Sequence, residues 1–170
     1  DKSLEDGAIC FVIKDTMYAV NPEYGILKKY NSLTDTWTES KWEKKAVAPH
    51  SVDIIGSDID FSIEEKEYVI TTIRKKWKYI NQLWEFDPHT ITWNKKNDLP
   101  VPGSDSLSAF STGKHGYVMR RSIDFLEYNP ASDSWTAKKG PSADNDFSCK
   151  FIIGESSYGF IKHKFWEFIP

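Results

Sequence analysis

The sequence predicts an all-β protein made of repeated four-stranded antiparallel sheets, and three observations carry that expectation. Aromatic residues make up 15% of the chain against only two methionines, a composition suited to pleated faces filled by Trp, Tyr and Phe. An aromatic stands seven residues before a tryptophan in YNSLTDTW (Tyr30 to Trp37), FDPHTITW (Phe86 to Trp93) and YNPASDSW (Tyr128 to Trp135). Upstream, a second pair at the same spacing occurs four times: Phe11 and Tyr18, Phe61 and Tyr68, Phe110 and Tyr117, Phe151 and Tyr158. These phenylalanines lie 50, 49 and 41 residues apart.

The units follow in order. The first spans about residues 7–42 and the second about 54–99, whose strands are expected at Ile59 to Ile63, Tyr68 to Thr72, Leu83 to Phe86 and Trp93 to Lys96. Alternating apolar residues and the turn residues between them support those strands. Asp87 and Pro88 start the last turn, Pro with its preset φ and Asp with a side chain that bonds nearby amides, so Phe86 and Trp93 become cross-strand neighbours. A third unit covers about 105–141. The fourth, about 147–170, carries FWEF in the place of LWEF and reaches Pro170 before a tryptophan. Residues 1–170 thus read as a single array.

Four strands per 40 to 50 residues is the period of a propeller blade. One small twisted sheet cannot bury either face alone, so blades stack and their aromatics fill the gaps. On this reading Phe11, Tyr18, Trp37, Phe61, Tyr68, Trp93, Phe110, Tyr117, Trp135, Phe151 and Tyr158 are core. Cys10 and Cys149 lie in apolar runs and are expected as buried free thiols, too few for a disulfide framework.

Composition bounds function. The 22 basic and 25 acidic side chains nearly balance, so no global charge points to nucleic acid or to a membrane surface. Apolar runs such as Ile9 to Ile13 are too short to span a bilayer. The chain begins at Asp1, which fits either removal of a signal segment or a piece of a longer protein.

The stretches EYVI and GYV, LWEFDPHTITW and NDLP resemble kelch repeats, particularly those of bacterial secreted kelch proteins. The resemblance runs over about residues 7 to 170. It departs from the family where a pair of glycines is usual, at Asn21 and Pro22, Thr71 and Thr72, Arg120 and Arg121, and Ile161 and Lys162. It implies a β-propeller of kelch-like blades, about three and a half of them in this chain. That number fits a fragment, a small closed ring, or half of a ring completed by a second copy as homo-oligomer. An extracellular, periplasmic or cell-surface location follows from the resemblance alone, with the cytoplasm left open.

Among similar propellers, galactose oxidase holds copper with histidines and tyrosines. Here His50, His89, His115 and His163 form no chelating pair, and no metal or other cofactor is expected. Sialidase-like chemistry needs an arginine cluster, but there are three arginines in all and Glu64 and Glu65 are adjacent in one turn. No catalytic residue is assigned. Phosphate loops, Cys-x-x-Cys pairs and nucleophile elbows are absent from the sequence.

Strands of a blade alternate in direction, so the connections between second and third strands emerge on one rim. Segments 21–25, 71–82, 120–124 and 161–164 hold eight cations against two acids, whereas the turns of the opposite rim are mainly acidic. The candidate binding surface is therefore Arg74, Lys75, Lys76, Trp77, Lys78, Tyr79, Arg120, Arg121, Lys162 and Lys164. A non-catalytic module that engages an anionic glycan or an acidic protein surface is the leading reading, without nucleic acid or membrane insertion. The alternatives are a propeller-type carbohydrate-active enzyme and a structural portion of a larger propeller. At the insert TTIRKKWKYINQ, a solvated hairpin whose aromatics pack on the next blade competes with a site.

Overall fold

The structure, a computed structural model, describes residues 8–21, 24–41, 59–103, 107–112, 114–120, 125–138, 147–153, 156–161 and 164–168. Every regular element among them is a strand. The first sheet contains β1 (Ile9–Ile13), β2 (Thr16–Asn21), β3 (Ile26–Asn31) and β4 (Thr36–Lys41), and the second β5 (Ile59–Ile63), β6 (Lys66–Lys75), β7 (Lys78–Asp87) and β8 (Thr92–Lys95). The third is β9 (Leu107–Thr112), β10 (His115–Arg120), β11 (Phe125–Asn129) and β12 (Ser134–Lys138). The fourth has three strands, β13 (Phe147–Ile153), β14 (Ser156–Ile161) and β15 (Lys164–Phe168). Each strand pairs antiparallel with its successor, so the chain is all-β with a blade-like, propeller-type arrangement of open sheets.

Register explains both seven-residue spacings. Phe11 pairs with Tyr18, Phe61 with Tyr68, Phe110 with Tyr117 and Phe151 with Tyr158 across the first two strands of each sheet. Two-residue connections close the first two of these hairpins, with Lys14 (φ 53) and Glu64 (φ 56) in the left-handed region that the strand twist favours. Across the third and fourth strands Tyr30 pairs with Trp37, Phe86 with Trp93 and Tyr128 with Trp135, with ring centroids 5.1, 4.8 and 4.9 Å apart.

The turn beneath each of these pairs is built the same way. Asn31, Asp87 and Asn129 each accept, through Oδ1, hydrogen bonds from the amides two and three residues on. Thr34 and Thr36, Thr90 and Thr92, and Ser132 and Ser134 pair their hydroxyls across it. The last turn residue has positive φ: Asp35 (51), Ile91 (56) and Asp133 (47). Its identity follows the strand aromatic. Tyr30 and Tyr128 donate their hydroxyls to Asp35 and Asp133 at 2.9 Å, whereas Phe86 has no hydroxyl and Ile91 packs into the adjacent apolar cluster instead.

The sheets stack in chain order with their first strands close together, β1 against β5, β5 against β9 and β9 against β13. Ile9, Phe11, Ile13, Tyr18, Val20 and Leu27 of the first sheet pack on Val69, Trp84, Phe86 and Trp93 of the second. The reverse face of the second sheet, including Phe61, Tyr68, Ile70 and Leu83, packs on Ala109, Val118, Leu126 and Tyr128 of the third. Rings meet at each junction, Phe11 with Phe86 at 5.8 Å and Tyr68 with Tyr128 at 5.6 Å. Gly116 is the one position of the second junction where a Cβ would penetrate the Phe61 ring, so the absence of a side chain there sets how closely the sheets approach. Polar links reinforce the apolar ones. Ser111 Oγ donates to the Ser62 carbonyl, and Asn97, beyond β8, donates its amide to Asp133 at 3.0 Å while its carbonyl accepts Trp135 Nε1 at 3.0 Å.

Several expectations are corrected. Trp37 is 48% exposed rather than core, because its face of the first sheet lies opposite the one that meets the second sheet. Cys10 is exposed for the same reason: β1 alternates strictly, placing Ile9, Phe11 and Ile13 inward and Cys10 and Val12 outward. Trp135 and Tyr158 are half-buried. The side chains of Phe151 and Cys149 lie outside the described residues. In the second sheet β5 matches the expected bounds and β8 begins one residue earlier, but β6 and β7 reach far beyond Thr72 and Leu83.

Candidate functional site

The segment Thr71 to Gln82 is strand rather than loop. β6 and β7 stay paired beyond the rest of their sheet, through Thr72 with Asn81, Ile73 with Ile80, Arg74 with Tyr79 and Lys75 with Lys78, and Lys76 and Trp77 form the apex. Lys76 sits at φ 56, a conformation that costs a residue with a Cβ some strain. Thr72 Oγ1 donates to Asn81 Oδ1 at 2.9 Å, tying the two strands below the tip.

A two-stranded ribbon alone is marginal in water, and here the connection to the third sheet braces it. Leu99 donates its amide to the Asn81 carbonyl at 3.0 Å, Gly103 donates to the Tyr79 carbonyl at 2.9 Å, and Ile80 and Pro102 form a β-bridge. Any Cβ on Gly103 would collide with Tyr79, so glycine permits this close approach. Residues 99–103 therefore cover the edge of β7 that β8 leaves unpaired.

The braced tip presents its charge to solvent. Arg74, Lys75, Lys76, Lys78 and Tyr79 are exposed, and Trp77 is 93% exposed. The expectation that these aromatics pack on a neighbouring blade fails for Trp77, since the apex stands clear of the sheets. Among the described residues none of the four cations has an ion-pair partner. Lys75 and Lys78 are direct cross-strand neighbours, an arrangement that like charge disfavours. An exposed tryptophan beside unpaired cations can stack on a sugar ring or hold an anion.

Of the remaining candidates, Arg120 ends β10 and Lys164 begins β15, but their side chains lie outside the described residues. Arg121 and Lys162 lie outside them altogether. The structure thus brings Arg74 to Tyr79 together.

On the opposite rim charges compensate one another. Lys14 and His89 both bond Glu65, joining turns of the first two sheets, and these bonds hold the Glu65 carboxyl below its usual range. Inside the second sheet, burial would raise Glu85, yet bonds from Lys66 at 3.0 Å and Tyr68 at 2.9 Å, with Lys96 at 3.3 Å, hold it below its ordinary value. Sequence reasoning missed Glu67, which is fully buried between the first and second sheets and whose Oε1 has no hydrogen-bond partner among the described residues. Alternation along β6 was the available signal, since it places Glu67 on one face with Val69 and Thr71, facing the first sheet. Among the described residues no group of three or more His, Cys, Asp or Glu is placed to hold a metal ion, and no helix is long and apolar enough to cross a membrane. In comparison with known proteins, no family model matches the chain and no curated protein matches it.

Proposed function

We propose that the chain is a non-catalytic binding module of kelch-like type, exported to an extracellular, periplasmic or cell-surface location, that engages an anionic glycan through the β6–β7 hairpin. Trp77 stacks on a sugar face while Arg74, Lys75, Lys76 and Lys78 meet its sulfate or carboxylate groups, and Tyr79 supports the contact beside Arg74. Arg120, Arg121, Lys162 and Lys164, assigned to the same rim from the sequence alone, are the further candidates. The observation that carries this reading is the apex itself: a tryptophan 93% exposed among four cations without an ion-pair partner among the described residues, on a ribbon braced by its neighbour segment. A rigid platform loses little entropy on binding.

Titration calorimetry against sulfated and uronic acid polysaccharides at low and high salt tests it. Binding that weakens with salt and falls at least tenfold in Trp77→Ala supports the module. Absence of binding to any polyanionic sugar, with binding to an acidic peptide instead, would assign the hairpin to a protein partner. Release of reducing ends would assign the chain to the carbohydrate-active enzymes.

A further inference from the structure

One face of the first sheet is open and holds an exposed apolar patch. By register it carries Cys10, Val12, Met17, Tyr30 and Trp37 beside the Lys28–Glu39 ion pair. Val12 is 54% and Met17 43% exposed, Cys10 and Trp37 are exposed, and no described residue packs over them. The same face of the second and third sheets is covered, because Phe86 and Trp93, then Tyr128 and Trp135, pack against the sheet before. Those covered faces hold Ser62 and Glu67 or Ser111 and Gly116 where the open one holds Val12 and Met17. Val12, Met17 and Trp37 are therefore apolar side chains that water reaches, an unfavourable state for them.

At each internal junction the cover is of one kind, the opposite face of a sheet that carries a first-strand Phe and a second-strand Tyr. The fourth sheet offers that face as well, with Tyr158 stacked on Phe165 at 5.5 Å and Phe165 exposed. Among the described residues each of these sheets packs on its chain neighbour, β13 beside β9 and the first sheet on the second, and no packing of the two faces on each other is seen.

We infer that a second copy of this chain covers the open face, setting its β13–β15 sheet on the β1–β4 sheet in the register used by the internal junctions. Tyr158 of one copy then meets Tyr30 of the other, as Tyr68 meets Tyr128. Position 149 then comes opposite position 10, because their equivalents Ile59 and Ala109 share one cluster at the junction of the second and third sheets. By strand register, positions 10 and 149 thus match across the proposed junction. Such head-to-tail contact closes into a ring where the rotation permits.

The test needs no ligand: light scattering on the full chain across a concentration series, with the variant Met17→Glu on the exposed face. The expected result is a mass above 19.6 kDa that rises with concentration, and at least a tenfold weaker association in Met17→Glu with its β-sheet circular dichroism and melting midpoint retained. A concentration-independent monomer overturns the inference. In a mixture of isotope-labelled and unlabelled chains, a short bismaleimide should join Cys10 to Cys149 in mixed-isotope peptide pairs. Pairs of one isotope only would show that a chain's own fourth sheet covers the face, and would overturn it equally.

Discussion

Replacing Glu67 by Gln should make the protein more stable, by an amount that grows with pH. Glu67 is fully buried, and burial first, with the nearby Asp60 carboxylate adding to it, pushes its carboxyl from 4.5 up to about 9. The hydrogen bonds agree with a neutral acid. Ser62 Oγ lies within bonding reach of both Glu67 Oε2 and the Val12 carbonyl, and its single proton cannot serve both. If Glu67 is protonated it donates to Ser62, which is then free to donate to Val12 across the junction of the first two sheets.

The sign follows from which state holds the proton. The folded chain keeps the Glu67 proton up to about pH 9, whereas the unfolded chain releases it near the ordinary glutamate value. Unfolding therefore releases a proton between those limits, and stability falls as pH rises through them, by about 1.4 kcal/mol per pH unit. At pH 7 the penalty carried by Glu67 is on the order of 3 kcal/mol, a large part of the stability of an ordinary domain. Glutamine keeps the shape and the partner on Ser62 and has no proton to lose. Urea denaturation of both proteins at pH 5, 6, 7 and 8 measures the effect. The advantage of Glu67→Gln should be small at pH 5 and widen steadily toward pH 8. A constant difference across that range would mean that Glu67 is ionised in the folded chain, and the argument from burial would fail.

The third-strand aromatic and the turn residue should behave as a coupled pair. Phe86→Tyr alone buries a hydroxyl without an acceptor and should cost about 1–3 kcal/mol, and adding Ile91→Asp, which recreates the Tyr30–Asp35 and Tyr128–Asp133 bonds, should recover about 1 kcal/mol or more in a double-mutant cycle. Gly116→Ala drives a methyl into the Phe61 ring and should cost about 1–3 kcal/mol in chemical denaturation; an unchanged midpoint would show that the second and third sheets can separate freely.

The periodic part of this protein was legible in its sequence. Phe11 and Tyr18, or Phe86 and Trp93, are seven residues apart because a short turn folds them into register, and turn chemistry is local: Asp87 needs only its own neighbours to accept two amides. Strand order and sheet count follow from such short-range rules. Burial did not follow from them. Trp37 and Trp93 occupy the same place in the repeat and pack on their strand partners alike, yet one is 48% exposed and the other buried. Their difference is made by the sheet that lies, or does not lie, across each face. Likewise Cys10 sits in an apolar run and still faces solvent, Glu67 sits in a charged turn sequence and is sealed away, and Trp77 stands clear because residues 99–103 brace a ribbon that sequence presented as a loop. Spacing along the chain sets which residues share a strand pair, whereas the free energy of each face depends on residues about fifty positions away that only the stacking of sheets brings near.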